Sequence, residues 1–223
     1  MDIYGGQGYV DLLYTIPDST GTFESKDFFI AQAAGTSHMS YIENDKQVEK
    51  LISNLFSWGH FSPFEQASLT FEIKAPAVVF WQLDRHRTFR YGSHLRRSGR
   101  YTKYFAEDFY IPEYFDMYEM AQLSLTIEHG LELYNAYIDS GMKSESARYF
   151  LPGWCMLYTE VMNVDLKNLM HFFSLRLDPA AQIEIRELAN AMFELTKKEF
   201  PISMKYFEEN EKPRVDYITG DME

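Results

Sequence analysis

The chain has 223 residues, 46% of them hydrophobic and 17% aromatic, with a net charge of −12. That size and composition suit one ordered globular domain spanning 1–223 and exclude a disordered or fibrous chain. A surface this acidic repels a nucleic-acid backbone, and no apolar run reaches the roughly 18 residues that span a bilayer, so neither nucleic acid nor membrane is an expected partner.

Cys155 is the single cysteine, which excludes an intramolecular disulfide and a thiolate zinc site. The start Met1-Asp2-Ile3-Tyr4-Gly5-Gly6 lacks the basic and apolar regions of a signal peptide. A soluble, cytoplasmic protein is the resulting expectation.

In chain order, Tyr9 to Ile16 reads as a strand, and Lys26 to Ala34 and Lys46 to Trp58 read as amphipathic helices. The second carries Val48, Leu51, Ile52, Leu55 and Phe56 at helical spacing. Gly59 to Glu65 is a loop or helix start. Ala67 to Lys74 alternates around Leu69, Phe71 and Ile73, the pattern of a half-buried strand. Pro76 suits the first turn of a helix running into Arg85-His86-Arg87. A long helix is predicted from Met117 to Asp139 and a short one from Ser144 to Phe150, stopped by Pro152-Gly153. Trp154 to Val164 reads as a strand, and two helices follow, Asp165 to Leu175 and Pro179 to Phe200, the latter stopped by Pro201. The expectation is an α+β fold, about two-thirds helical, with a few antiparallel strands.

One segment stands apart. From Arg85 to Tyr101 there are six arginines in seventeen residues and no acidic side chain. Setting these and Lys103 aside leaves about −19 on the rest, so the cations form an island. Cations near a helix C-terminus complement its dipole, but that accounts for one or two charges, not seven. Guanidinium forks bind phosphates bidentately, and Gly92-Ser93 and Ser98-Gly99 allow close backbone approach. A small phosphorylated ligand fits the pattern.

At these residues the chain resembles a known family, the flavin-dependent thymidylate synthases. Arg85-His86-Arg87 and Ser98-Gly99-Arg100-Tyr101 are similar to that family's Arg-His-Arg and Ser-Gly-Arg-Tyr, with ten intervening residues here instead of the usual seven. Gly59-His60-Phe61-Ser62-Pro63-Phe64-Glu65, Gln82, Ala147-Arg148 with Leu151-Pro152, the Leu169-to-Arg176 stretch and Ala181-Gln182 resemble further family segments in the same order.

The resemblance implies an antiparallel sheet flanked by helices, a homotetramer, and reductive methylation of dUMP at C5. Methylene-tetrahydrofolate would donate the carbon, and FAD reduced by NADPH would carry hydride. By position, Arg85, His86 and Arg87 would contact FAD, with Ser62, Asp165, Lys167 and His171 adding flavin contacts. Gln82, Arg85, Ser98, Gly99, Arg100 and Arg148 would hold the nucleotide. Arg176 would lie at the uracil edge and stabilise charge developing on the ring, the catalytic role.

The residue chemistry agrees with a reaction that uses no protein nucleophile. Cys155, within Trp-Cys-Met-Leu-Tyr, reads as a small buried hydrophobe. Ser98, among arginines and without an adjacent base, reads as a phosphate ligand. For His60, a general acid or base and a loop-satisfying histidine both stay open. His38, His94 and His129 carry no signal, and no ligand spacing points to a metal. Where the family has Asn-Glu before the serine, this chain has Leu95-Arg96; His171 replaces an asparagine, Lys167 an arginine and Ala180 a histidine. These departures keep a paralogue that hydroxymethylates dUMP or dCMP as the alternative, and a flavin- or nucleotide-binding protein without synthase activity as a third reading.

Overall fold

A computed structural model describes residues 1–16, 25–37, 39–86, 95–96, 98, 100 and 102–210. The chain divides into two compact units, Met1–Tyr14 with Leu69–Val164, and Thr15–Ser68 with Asp165–Glu223. Among the described residues no helix is long and apolar enough to cross a membrane.

The first unit is built on a five-stranded sheet of β1 (Asp2–Ile3), β2 (Gly8–Thr15), β3 (Ser68–Pro76), β4 (Leu95–Arg96) and β5 (Leu157–Asp165), in the order β1-β2-β3-β5-β4. β1 and β2 are antiparallel, as are β4 and β5. The β3–β5 direction follows from the bonds just past the strand ends: Ala77 N–H donates to Met156 O and Leu166 N–H to Ala67 O, so rising numbers on one strand meet falling numbers on the other. β3 alternates as its sequence predicts, with Leu69, Phe71, Ile73 and Ala75 fully buried.

Three helices accompany this sheet: α3 (Ala77–Leu83), α4 (Met117–Asp139) and α5 (Ser144–Ala147). α4 has the predicted limits because a reciprocal cap fixes its start: Asp116 accepts from Glu119 N–H at 2.8 Å and Glu119 accepts from Asp116 N–H at 2.9 Å. It packs Ile127 and Tyr134 into a core with Tyr104, Phe109, Leu151 and Met156. Gly130 lets α4 approach the Phe150–Pro152 backbone, since a Cβ there would lie 2.8 Å from Phe150 O. Tyr137 stacks on Phe150 at 4.4 Å. These contacts fix the turn that follows α5.

The second unit is helical. It holds α1 (Asp27–Thr36), α2 (Asp45–Trp58), α6 (Leu166–Arg176), α7 (Ile183–Glu199) and α8 (Pro201–Asn210). α2 buries Val48, Ile52, Leu55 and Phe56, the predicted stripe without Leu51, which is half-buried. Phe173, Phe193 and Phe207 bring α6, α7 and α8 together, with ring centroids 5.3–6.3 Å apart.

Sequence expectations need correction at several element ends. The predicted strand from Trp154 starts at Leu157, because Gly153–Cys155 form a 3-10 turn whose Cys155 carbonyl accepts from Tyr110 N–H instead of joining the ladder. The helix predicted from Pro179 starts at Ile183, since the Asp178 carboxylate accepts from Ala180 N–H at 2.8 Å and holds a turn. Pro201 does not only stop α7; it also occupies the first position of α8, where its missing N–H costs nothing. Helices therefore fill less than two-thirds of the described residues.

α8 is capped from a distance. Asp27, fully buried, accepts from Ile202 N–H and Ser203 N–H at 2.9 Å each, and from the Ser203 and Ser25 hydroxyls. Asp27→Ala leaves those buried donors unpaired and should cost about 2–3 kcal/mol in urea unfolding. Burial pushes the Asp27 carboxyl above the ordinary carboxylate value, opposed by the donors from Ser203, Ile202 and Ser25. The folded chain then holds this proton more tightly than the unfolded one. That contribution is present below the unfolded pKa and is lost as pH rises through the folded pKa. Asp27→Asn should remove this acid-range slope, measured as unfolding free energy against pH.

Candidate functional site

In the first unit, α3 is anchored at its start by the 2.9 Å bond from Ala77 N–H to Met156 O and buries Val79, Phe80 and Leu83. Its last α-type bond runs from Asp84 N–H to Phe80 O at 2.8 Å. The chain then tightens, with Arg85 N–H bonded to Gln82 O and His86 N–H to Leu83 O, so the helix ends before the basic triplet instead of running into it. This turn sends neighbouring side chains in opposite directions: His86 is buried and Arg85 exposed. The Arg85 guanidinium has no hydrogen bond or ion pair among the described residues. Gln82 is half-buried and donates to Val78 O at 3.4 Å. Arg87 lies outside the described residues.

β4 leads to the Ser98 turn. Leu95 stands opposite Val161 and Arg96 opposite the buried Glu160 in the β4–β5 ladder. The exposed Ser98 hydroxyl accepts from Arg100 N–H at 3.3 Å, and the Ser98 carbonyl accepts from the Thr102 hydroxyl at 3.2 Å. Gly99 lies outside the described residues. Arg100 reaches α5, pairing its Nε with Glu145 at 2.9 Å. Arg148 follows three residues after Glu145, exposed and with no side-chain partner among the described residues. The structure thus brings Arg100 to the short helix that leads into Arg148. A cleft of about 450 Å³ lies there, lined by Arg100, Met142, Lys143, Ser144 and Glu145 among others. Lys143 was not singled out from sequence. It stands alone among uncharged or acidic neighbours, and its only signal is its place just before α5.

In the second unit, α2 ends in a left-handed Gly59, φ +69°, with Gly59 N–H bonded to Phe56 O and His60 N–H to Leu55 O. Only glycine adopts that backbone freely, which explains Gly59 before His60. His60 is exposed beside Trp58, with ring centroids 5.9 Å apart. Exposed Ser62 opens the 3-10 turn Ser62–Gln66, and this turn packs on α6 through an ion pair between Glu65 and Lys167.

α6 carries four of the predicted residues. Asp165 caps it, accepting from Asn168 N–H at 3.0 Å and from the Asn168 side chain, so that carboxylate is engaged locally. Lys167 and the exposed His171 lie one turn apart and so share a face, opposite the buried Leu166, Leu169, Met170 and Phe173. Arg176 is half-buried in the last turn, where its cation complements the helix dipole.

Cys155 donates to Pro152 O at 3.2 Å, and burial pushes its thiol above the ordinary value. The thiolate is therefore scarce near neutral pH, the opposite of an activated nucleophile. Cys155→Ala should keep most of its turnover, read as kcat. Loss of turnover in a folded variant would assign the thiol a chemical role.

Residues 20–202 match the model of the Thy1 family, described as thymidylate synthase complementing protein. A flavin-dependent thymidylate synthase of Thermus thermophilus is 38% identical over 204 residues, 82% of this chain and 72% of the relative. One from Pseudothermotoga lettingae is 34% identical over 213 residues, 90% of each chain. The solved structure of a UMP/dUMP methylase, PolB, from Streptomyces cacaoi with bound 5-Br dUMP is similar at a TM-score of 0.76 and 26% identity, covering 91% of this chain and 95% of that one.

Proposed function

The chain belongs to the Thy1 family of flavin-dependent thymidylate synthases, and on that premise we propose that it methylates dUMP at C5 to give dTMP. The observation that carries this is the family match over residues 20–202, which takes in every proposed site residue of both units. In the net reaction the C5 hydrogen of dUMP is replaced by a methyl group. Its carbon comes from methylene-tetrahydrofolate and its added hydride from NADPH. A cytoplasmic homotetramer acting on these small molecules completes the proposal.

The donor set suits FAD. In the first unit Arg85 offers a solvent-facing cation with no partner among the described residues, as a diphosphate calls for; in the second unit Ser62 and His171 are exposed polar side chains. Lys167 adds a second cation, tied to Glu65, with buried His86 beside Arg85. When bound, the flavin supplies hydride-carrying chemistry that no side chain has.

The residues of the chain bind, orient and stabilise. Arg148, Arg100 and Ser98 hold the nucleotide phosphate, and Lys143 adds charge to the cleft that Arg100 lines. Gln82, with an amide that both donates and accepts, orients the nucleotide. Arg176 opposes negative charge as it grows on the pyrimidine. No group is required to form a covalent bond to substrate.

Purified protein should be yellow, release FAD and not FMN on denaturation, and lose its visible flavin absorbance with NADPH under anaerobic conditions. A colourless preparation that FAD does not reconstitute would end this reading.

A further inference from the structure

Two large apolar side chains of the first unit lie open to solvent beside each other. Trp81, on α3, is 52% exposed, and Trp154, in the 3-10 turn Gly153–Cys155, is 57% exposed. Their ring centroids are 3.9 Å apart with planes at 66°. At that tilt the edge of one indole meets the face of the other, which leaves the outer ring faces open. The pair is held in place. The Ala77–Met156 bond ties α3 to the residue after the turn, and Cys155 is bonded back to Pro152.

Charge supplies the second half of the case. Arg85 comes four residues after Trp81, and both are exposed while Phe80, Leu83 and His86 are buried. Trp81 on α3 and Arg85 in the turn that ends it therefore both lie on the solvent side of this segment. An exposed indole pair, with an exposed guanidinium four residues after Trp81 that has no partner among the described residues, matches a flat heteroaromatic ring attached to a phosphate: the ring stacks on an open indole face while the fork takes the phosphate.

We propose that Trp81 and Trp154 form an aromatic platform on which the ring of a phosphorylated nucleotide stacks, with Arg85 as its phosphate partner. The proposal rests on the flavin reading only in making FAD the first ligand to try. NADPH and dUMP share the same chemistry and are tested beside it.

The chain has three tryptophans, so Trp58→Phe leaves the pair as the only indole emitters. The full-length Trp58→Phe protein, as purified and after removal of flavin, is titrated separately with FAD, NADPH and dUMP. One of them, FAD first, should quench the emission saturably. Adding Trp81→Ala or Trp154→Ala should weaken that ligand's Kd by roughly 10- to 100-fold, and the phenylalanine substitutions by less. Near-ultraviolet circular dichroism reads the pair directly: coupled indoles give a signal that Trp81→Phe or Trp154→Phe alone should remove.

If no ligand changes the emission, or if folded alanine variants bind all three as tightly as the parent, the platform does not exist. An emission that becomes quencher-accessible only when subunits dissociate would show a second copy of the chain covering the pair, and would also overturn it. FAD binding that survives both alanine substitutions removes the platform but leaves the flavin reading intact. A parent that binds no FAD removes the flavin reading, and the NADPH and dUMP titrations still decide the platform.

Discussion

Arg176→Ala should lower kcat by about 10²- to 10³-fold while changing nucleotide affinity far less. Charge on the pyrimidine grows only as the reaction proceeds, so a guanidinium facing it is used mainly in the transition state. Its place makes it suited to this. It is half-buried in the last turn of α6, a helix anchored by Leu169, Phe172 and Phe173 in the core of its unit, so its position is set by packing. Arg176→Lys should restore only part of the loss, because an ammonium does not reproduce a planar fork. Circular dichroism and unfolding of both variants would separate a catalytic effect from a structural one.

Arg148→Ala should act on the other kinetic constant. A phosphate is the same in ground and transition states, so its loss removes uniform binding and raises KM more than it lowers kcat. A charge-assisted hydrogen bond is worth about 1.5–3 kcal/mol, which predicts a roughly 10- to 150-fold rise. Arg100→Ala should show the same pattern with a smaller magnitude. Arg100 already pairs with Glu145 on an exposed surface and must share or leave that partner, whereas Arg148 has none among the described residues. The exposed Arg100–Glu145 pair itself contributes little to stability, so Arg100→Ala should unfold nearly as the parent does. If Arg176→Ala lost only affinity while Arg148→Ala lost only kcat, the two roles would be exchanged.

How far each feature was legible depended on whether its cause was local. The limits of α4 were readable because the Asp116–Glu119 cap lies next to them. β3 was readable because its burial alternates residue by residue. α8 was not, since the carboxylate that caps it belongs to Asp27, 175 positions earlier, and Pro201 alone reads equally as a stop or a start. The break at Gly153–Cys155 was hidden for the same reason: the backbone bonds that define it go to Tyr110 and Ala77.

The site divides along the same line. The arginine island was visible as composition, and its Gly-Ser punctuation as phosphate chemistry. The Arg100–Glu145 pairing and the cleft that contains Lys143 depend on α5 meeting a segment some 45 residues before it. Trp154 opened a predicted strand, and only the structure places it beside Trp81 at the surface.

The most direct measurement is the mass of the product formed from dUMP, methylene-tetrahydrofolate and NADPH by the flavin-loaded protein. The account predicts dTMP, one CH₂ heavier than dUMP, with the carbon traceable to labelled folate and turnover dependent on flavin. A hydroxymethylated pyrimidine, or dUMP returned unchanged alongside active conversion of dCMP, would contradict it.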